Sequence, residues 1–467
     1  MWKSIGAAGA FALALSLPPN AQAATDAELA EIREQIRQLK ESYEARIQAL
    51  EQRLKDAEAR SAAVPATATP STTVAAAPAA TDAATPAPPS SGISAFNPAI
   101  SAVLQGVYAN LSQDPNKYAI HGFVPSGDIA PAKRGFSIAE SELAMSANVD
   151  DKIFGNLIFS LSPDNTVEVE EAYGVLTAIP GGFTPKFGRF LSSIGYLNSQ
   201  HQHTWDFYDA PLPYQAFLGG QFRSDGLQLK WIAPTDTFIE LGGEVGSGTS
   251  YPGNDRNKNG IGDGVVYVHA GGDVGTSNSW RAGLSYLQTA SSDRAYSIVD
   301  ASGIDTPVSF TGRSRIAVAD LVWKWAPEGN PRERNFKLQG EYMWRRESGD
   351  LTYDTNVNAA LAATSSYTSR QSGYYVQGVY QFMPEWRFGA RYDWLDAGSV
   401  SYGDNGAYFG DVDFHPQRTS VMLDWTPSEF SRLRLQYSQA RLVPGVTDNQ
   451  WFLQYILTLG AHGAHRY

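Results

Sequence analysis

The sequence predicts an all-β fold, a transmembrane antiparallel β-barrel of about sixteen strands preceded by a short α-helical coiled coil. Three observations carry that expectation. From Asn97 onward polar and apolar residues alternate with period two, the connections between these segments alternate between short and long, and no run of about 18 apolar residues exists to form a membrane helix.

The chain of 467 residues contains no cysteine, which removes disulfides, thiolate metal sites and thiol nucleophiles together. A formal net charge of −12 argues against a general nucleic-acid binder, which needs a basic surface to neutralise phosphates. The opening stretch "MWKSIGAAGAFALALSLPPNAQA" has a Lys, a short apolar core and an Ala-Gln-Ala ending at Ala23, so 1–23 reads as a secretory signal peptide.

Residues 24–59 read as a periplasmic coiled-coil helix. Leu29, Ile32, Ile36, Leu39 and Tyr43 follow 3-4 spacing, and Ile47, Leu50 and Leu54 resume the seam after a stutter. A seam this narrow cannot bury itself, so it implies self-association. The rival reading is a solvated amphipathic helix. Residues 60–96 are mainly an Ala/Pro/Thr-rich linker that cannot form a core.

The barrel, 97–467, carries the alternation. In "EWRFGARYDW", Trp386, Phe388, Ala390, Tyr392 and Trp394 share one face while Arg387, Gly389, Arg391 and Asp393 share the other. Aromatics at both ends of the apolar face fit the two interfaces of a membrane, and long charged side chains opposite fit a wet lumen. Sixteen such segments are expected near 97–111, 134–150, 152–162, 167–179, 183–191, 224–234, 237–248, 263–274, 279–290, 311–327, 332–348, 368–384, 385–396, 412–427, 429–442 and 447–460. Turns such as "VDD", "APTD" and "TPSE" occupy every second junction. Long loops are expected around 112–133, 192–221, 249–262, 291–310, 349–367 and 397–411. That rhythm belongs to outer-membrane barrels, with short turns in the periplasm and long loops outside. The last strand, from Trp451 through Leu459, keeps its parity to the terminal Tyr467, as a signal for barrel-assembly machinery would.

"EEAYGVL" at 170–176 and "GGFTPKFGRF" at 181–190 resemble a strand pair of the phosphate-selective (polyphosphate and phosphate) porin superfamily. The resemblance covers 97–467 and implies a homotrimer of sixteen-stranded barrels, here with an N-terminal coiled-coil stalk. It does not extend to phosphate selectivity. That family binds phosphate through Arg and Lys on loops entering the pore, and 191–220 has neither.

The fifth and sixth segments are joined by 192–221, which includes "QHQHTWDFYDAPLPYQAFLGG" at 200–220. Its length, aromatics and prolines suit a loop folded into the barrel to narrow it, with Asp206 and Asp209 offered to the channel. The rival is a metal loop, in which His201 and His203 bind Zn2+ with Asp206 as a third ligand. A second metal reading concerns "NDRNKNGIGDG", where Asp255, Asn257, Asn259, Gly260 and Asp263 match the first half of a Ca2+ loop, although Val266 replaces the bidentate Glu. A plain surface loop is the simpler account.

Inward-facing charges separate along the chain. Glu140, Glu142, Glu168 and Glu170, joined by Glu240 and Glu244, make an acidic wall, and Lys337, Arg345, Arg387, Arg391, Arg418, Arg432 and Arg434 make a basic one. Opposed walls would favour small polar or charged solutes. The expected function is an outer-membrane porin, and no catalytic constellation is expected: His121, His269 and His415 stand apart from any nucleophile motif. Expected partners are further copies of the chain, outer-membrane lipid and lipopolysaccharide, and the barrel-assembly machinery. An alternative makes the stalk a tether to the cell wall with the barrel as anchor. A metal-uptake porin using the His-x-His loop is the other.

Overall fold

The segment 99–460 winds into one closed antiparallel sheet, because its alternating strands can satisfy their backbone groups only by pairing until the last meets the first. The computed structural model describes Arg37, 98–124, 129–354, 363–410 and 412–460. The chain divides into two units, Met1–Ala76 and Ala77–Tyr467. In the first, Arg37 is helical and exposed. The signal segment, the seam from Leu29 to Leu54 and the spacer lie outside the described residues, as do 461–467 with the terminal Tyr467.

The strands are β1 (Ala99–Leu111), β2 (Gly135–Ile138 and Ser141–Asn148), β3 (Ile153–Leu161), β4 (Val167–Leu176), β5 (Phe183–Leu191), β6 (Arg223–Ile232), β7 (Phe238–Gly246) and β8 (Asp263–Val274). They continue as β9 (Asn278–Val299), β10 (Asp305–Trp325), β11 (Asn335–Tyr353), β12 (Ala363–Met383), β13 (Trp386–Ser401), β14 (Gln417–Ser428), β15 (Ser431–Val443) and β16 (Val446–Gly460). The two pieces of β2 both pair with β1, so the seventeen segments fill sixteen strand positions. Each strand pairs with the next, and β16 closes on β1 along Ser101–Leu111.

The outer surface is the apolar face of the alternation. On β16, Trp451, Leu453, Tyr455, Leu457 and Leu459 are exposed, while Gln450, Phe452, Gln454, Ile456 and Thr458 between them are buried. Aromatics gather toward both ends of the barrel wall. Trp386 stacks on Trp425 at the short-turn end, and Tyr342, Trp344, Tyr374 and Trp394 form a contiguous group further along.

Two expectations about the connections are corrected. The stretch 291–310 is mostly strand, since β9 and β10 pair out to Val299 and Asp305 and leave only a five-residue turn, 300–304. Strands β11 to β13 likewise extend into the expected loops at 349–367 and 397–411. Val308, Phe310, Leu351 and Tyr367 cluster inside these extensions, giving the tall hairpins an apolar core of their own.

The barrel interior is also less polar than alternation suggested. Val265, Leu287, Ile316, Val318, Met343, Tyr375 and Leu395 point inward and pack with Ile194, Leu197, Trp205, Leu212, Tyr214, Phe217 and Phe222 of the connection after β5. This connection leaves the wall near Gly188, whose φ of +121° and whose approach to β4 exclude a side chain: a Cβ would lie 2.2 Å from the Ala172 carbonyl oxygen. Gly188→Val should therefore cost about 1–3 kcal/mol and lower the fraction of protein migrating as folded barrel in unheated SDS gels. A wild-type fraction would show that β5 can relax at this point.

Candidate functional site

The connection 192–222 carries two clusters of opposite chemistry, and each meets a wall of opposite character. It carries His201 and His203 first and Asp206 and Asp209 a few residues later, with no Lys or Arg. A short 3-10 turn, Gln202–Thr204, is capped by His201 and contains His203, and helix α1 (Leu212–Leu218) begins within the Pro-Leu-Pro run. All seven residues of α1 are buried, and Gly219 ends it with a left-handed φ of 66°.

The aspartates meet the basic wall. Asp206 lies 2.5 Å from Lys337 Nζ and accepts from Arg387 at 3.0 Å. Asp209 accepts from Arg391 at 2.9 Å and also pairs with Arg418. The arginines hold the backbone as well. Arg391 donates to the Asp209 carbonyl, Arg418 to that of Ala210, Arg434 to that of Trp205 and Arg345 to that of Ala216 near the C-terminus of α1, at 2.8, 2.6, 2.8 and 3.0 Å. Arg432 donates to the His203 and Trp205 carbonyls over longer distances, 3.3 and 3.4 Å. Carboxylates on the wall keep these arginines aimed, Asp393 bridging Arg391 and Arg418, and Asp424 bridging Arg387 and Arg434. Asp206 and Asp209, expected to be offered to the channel, are both held by wall cations. The basic residues, apart from the partly exposed Lys337 and Arg387, are likewise engaged by the loop or buried rather than open to water.

The histidines meet the acidic wall. His203 Nδ1 lies 2.7 Å from Glu142. His201 Nε2 lies 3.1 Å from Glu171, and its Nδ1 faces Glu170 and Glu142 at 3.3 and 3.4 Å. Glu171 was not foreseen, because strict alternation turns it away from Glu170. A bulge between β3 and β4, where Ile158 pairs with Glu171 but Phe159 with Val169, turns both glutamates toward the loop. The remaining acidic candidates serve other contacts. Glu244 accepts from the Ser193 amide, Glu240 pairs with His269, and Glu168 is a half-exposed partner of Arg223. The carbonyl oxygen of Glu140 accepts from Gln105 at the break in β2.

A second residue outside the expected set anchors the loop. Glu341, inward on β11 between Lys337 and Arg345, accepts from the amides of Tyr196 and Leu197 and from the hydroxyls of Tyr214 and Tyr375. Its parity with those cations was readable; its role was not. The first long connection packs there too, with Phe123 against Phe217 and Tyr118 donating to Gln215.

Among the described residues one group could hold a metal ion: Glu142, Glu170 and His201, with ligand atoms within 4.8 Å of one another. The expected Zn2+ set is thereby altered. Asp206 is committed to Lys337 and Arg387, and His203 to Glu142. The Ca2+ reading of 255–263 loses its geometry. Asp263 accepts from Ser224 and the Gly248 amide, whereas Asp255 caps an Asx turn at Asn257.

Burial works against charge on the loop's titratable groups, and their partners overcome it. The Glu170 and Glu142 carboxylates hold the His201 imidazole well above its ordinary value. Lys337 and Arg387 hold Asp206 far below the carboxylate range, and Arg418 and Arg391 lower Asp209.

A closed antiparallel barrel with an apolar outer face is the transmembrane β-barrel architecture. The chain belongs to the same family as an uncharacterized protein of Aquifex aeolicus (strain VF5), which is 30% identical over 404 residues, 79% of this chain and 80% of that protein. No protein-family model matches. Among solved structures it is similar to the outer-membrane channel DcaP of Acinetobacter baumannii (TM-score 0.49, 14% identity, 77% of this chain and 96% of that one). It is also similar to OmpT, an outer membrane protein of Vibrio cholerae (0.47, 10%, 78% and 97%), and to an anion-selective porin from Comamonas acidovorans (0.45, 9%, 78% and 99%).

The shifted groups set a pH window for loop docking. His201, raised in the fold, contributes stability fully present below about pH 6.5 and lost as pH rises through its folded value. Asp206 and Asp209, lowered, contribute stability present above about pH 3.9 and lost as pH falls through theirs. The thermal midpoint of His201→Gln in detergent should fall below wild type at pH 6, and the gap should close in alkaline buffer. A gap independent of pH would mean that His201 is not held as a cation.

Proposed function

We propose that this chain is an outer-membrane porin, a passive water-filled channel for small polar or charged solutes, narrowed by 192–222. The observation that carries the reading is the docking of that connection. A sixteen-stranded barrel is wide enough for an aqueous lumen, and the loop lies against inward-facing residues of both walls. Solute traffic then passes through what the loop leaves open, past cations that keep partial access to water, Lys337 and Arg387 among them. Long connections on the loop side and short turns on the other support an orientation with 192–222 entering from outside the cell. The stalk, with homotrimer formation through its seam, and assembly by the barrel machinery belong to the same reading.

The test is planar-bilayer recording of wild type against a chain in which 199–210 is replaced by a short Gly-Ser linker, and against Asp206→Ala/Asp209→Ala. Loop shortening should raise single-channel conductance and admit larger solutes in liposome swelling. The double substitution should undock the loop, since stripping buried cations of their partners costs about 3–5 kcal/mol. It should also move reversal potentials toward anions. Unchanged conductance and size limit in the shortened chain would refute the proposal.

A further inference from the structure

On the outer face of the barrel, away from the docked loop, three arginines occupy adjacent strands in direct register. Arg315 on β10 pairs with Arg346 on β11, and Arg346 pairs in turn with Arg370 on β12. All three side chains share the outward parity of their strands, that of exposed Leu321 and Trp323, Trp344, and Val376 and Tyr380. Directly opposite side chains on neighbouring strands start only about 4.5–5.5 Å apart at Cβ, and like charges so placed destabilise a sheet. None of the ion pairs among the described residues involves these three. Arg315 donates to Gln288, a neutral partner, at 3.2 Å. Among the described residues, no carboxylate neutralises this row of cations.

The place of the row along the barrel says what does. Toward the short turns, the same outward face continues through Trp344, Tyr342 and Tyr374, whose rings pack on one another, and then through apolar residues such as Leu321, Trp323 and Val376. Aromatics of that kind mark the edge of the hydrocarbon layer. The arginines stand one step beyond that edge, at headgroup depth, on the side of the long connections. Arg315, Arg346 and Arg370 also line a depression of about 410 Å³ with Tyr286 and Trp344 in its wall. Its lining sets cationic side chains beside aromatic rings, which suits an oxyanion on an amphipathic molecule. Guanidinium groups grip phosphate through paired N–H donors, and the rings take the adjoining apolar part.

We propose that Arg315, Arg346 and Arg370 form a binding site for the phosphorylated headgroup of a glycolipid in the outer leaflet. The inference rests on the outer-membrane orientation proposed above but not on solute conduction. A lipid is the occupant because the row continues the lipid-facing surface. A soluble anion would have no reason to be recognised there.

The experiment is native mass spectrometry of the full-length protein released from detergent micelles doped with diphosphoryl lipid A or its dephosphorylated form. Wild type should retain the diphosphoryl lipid and hold the dephosphorylated one more weakly, by a factor on the order of ten for the lost charge-assisted contacts. Arg315→Gln/Arg346→Gln/Arg370→Gln should lose the preference while keeping wild-type conductance, because these side chains face away from the lumen. Should the triple variant fail to fold, Arg346→Gln alone, the centre of the row, should weaken retention severalfold. Equal retention of both lipids, or undiminished retention by these variants, would overturn the site. Displacement of the lipid by micromolar inorganic pyrophosphate would assign the row to a soluble anion instead and overturn the lipid reading.

Discussion

Charge complementarity across the barrel interior is the constraint on which the rest of this structure depends. The glutamates that meet the loop's histidines lie on early strands, the cations that meet its aspartates lie on late strands, and the connection that carries both clusters lies between them. Reversing the order within 192–222 would set carboxylates against Glu142 and Glu170 and imidazoles against Arg391 and Arg418. The loop therefore has one favourable direction in which to cross. Its neutral C-terminal part, from Leu212 to Leu218, is free to pack on the apolar patch formed by Met343, Tyr375 and Leu395.

Such an interior differs from a lumen lined by free charges. Buried ion pairs contribute little net stability when intact and much instability when broken, so they act here as selectors of position. Arg391 and Arg418 share Asp393 on the wall and Asp209 on the loop, which keeps each guanidinium satisfied from both sides. Arg345 joins the wall to the loop by another route, spanning Gln371, Tyr251 and the Ala216 carbonyl. Several independent clamps make a rigid element of a segment with little regular structure. The constriction proposed above requires that rigidity.

Much of the barrel was legible in the sequence, because membrane strands obey a strict period. The parity that set Trp386, Phe388 and Trp394 against Arg387, Arg391 and Asp393 is the parity of the folded wall. The sequence was weakest where a second constraint overrides period two. Glu171 is missing from the expected acidic wall because alternation cannot register a bulge, and one extra residue in β4 brings it to the loop beside Glu170. The tall hairpin of β9 and β10 read as a loop because its strands continue where the membrane pattern stops. For Asp206 and Asp209 the segment was readable but the partners were not. Their partners lie some 180 residues further along the chain, a distance at which composition shows that charges exist but not which ones meet.

The account stands or falls on whether 192–222 is fixed to the wall. Hydrogen–deuterium exchange of the folded protein in detergent, read on peptides covering 192–222, measures this directly. The side-chain acceptors of the Ser193, Tyr196, Leu197 and Tyr208 amides, and the burial of Leu212–Leu218, predict protection approaching that of the strands. That protection should fall sharply in Arg391→Gln/Arg418→Gln while β9 and β10 stay protected. Exchange across 192–222 as fast as in the exposed turn at 300–304, in the unmodified protein, would contradict the clamp and the constriction built on it.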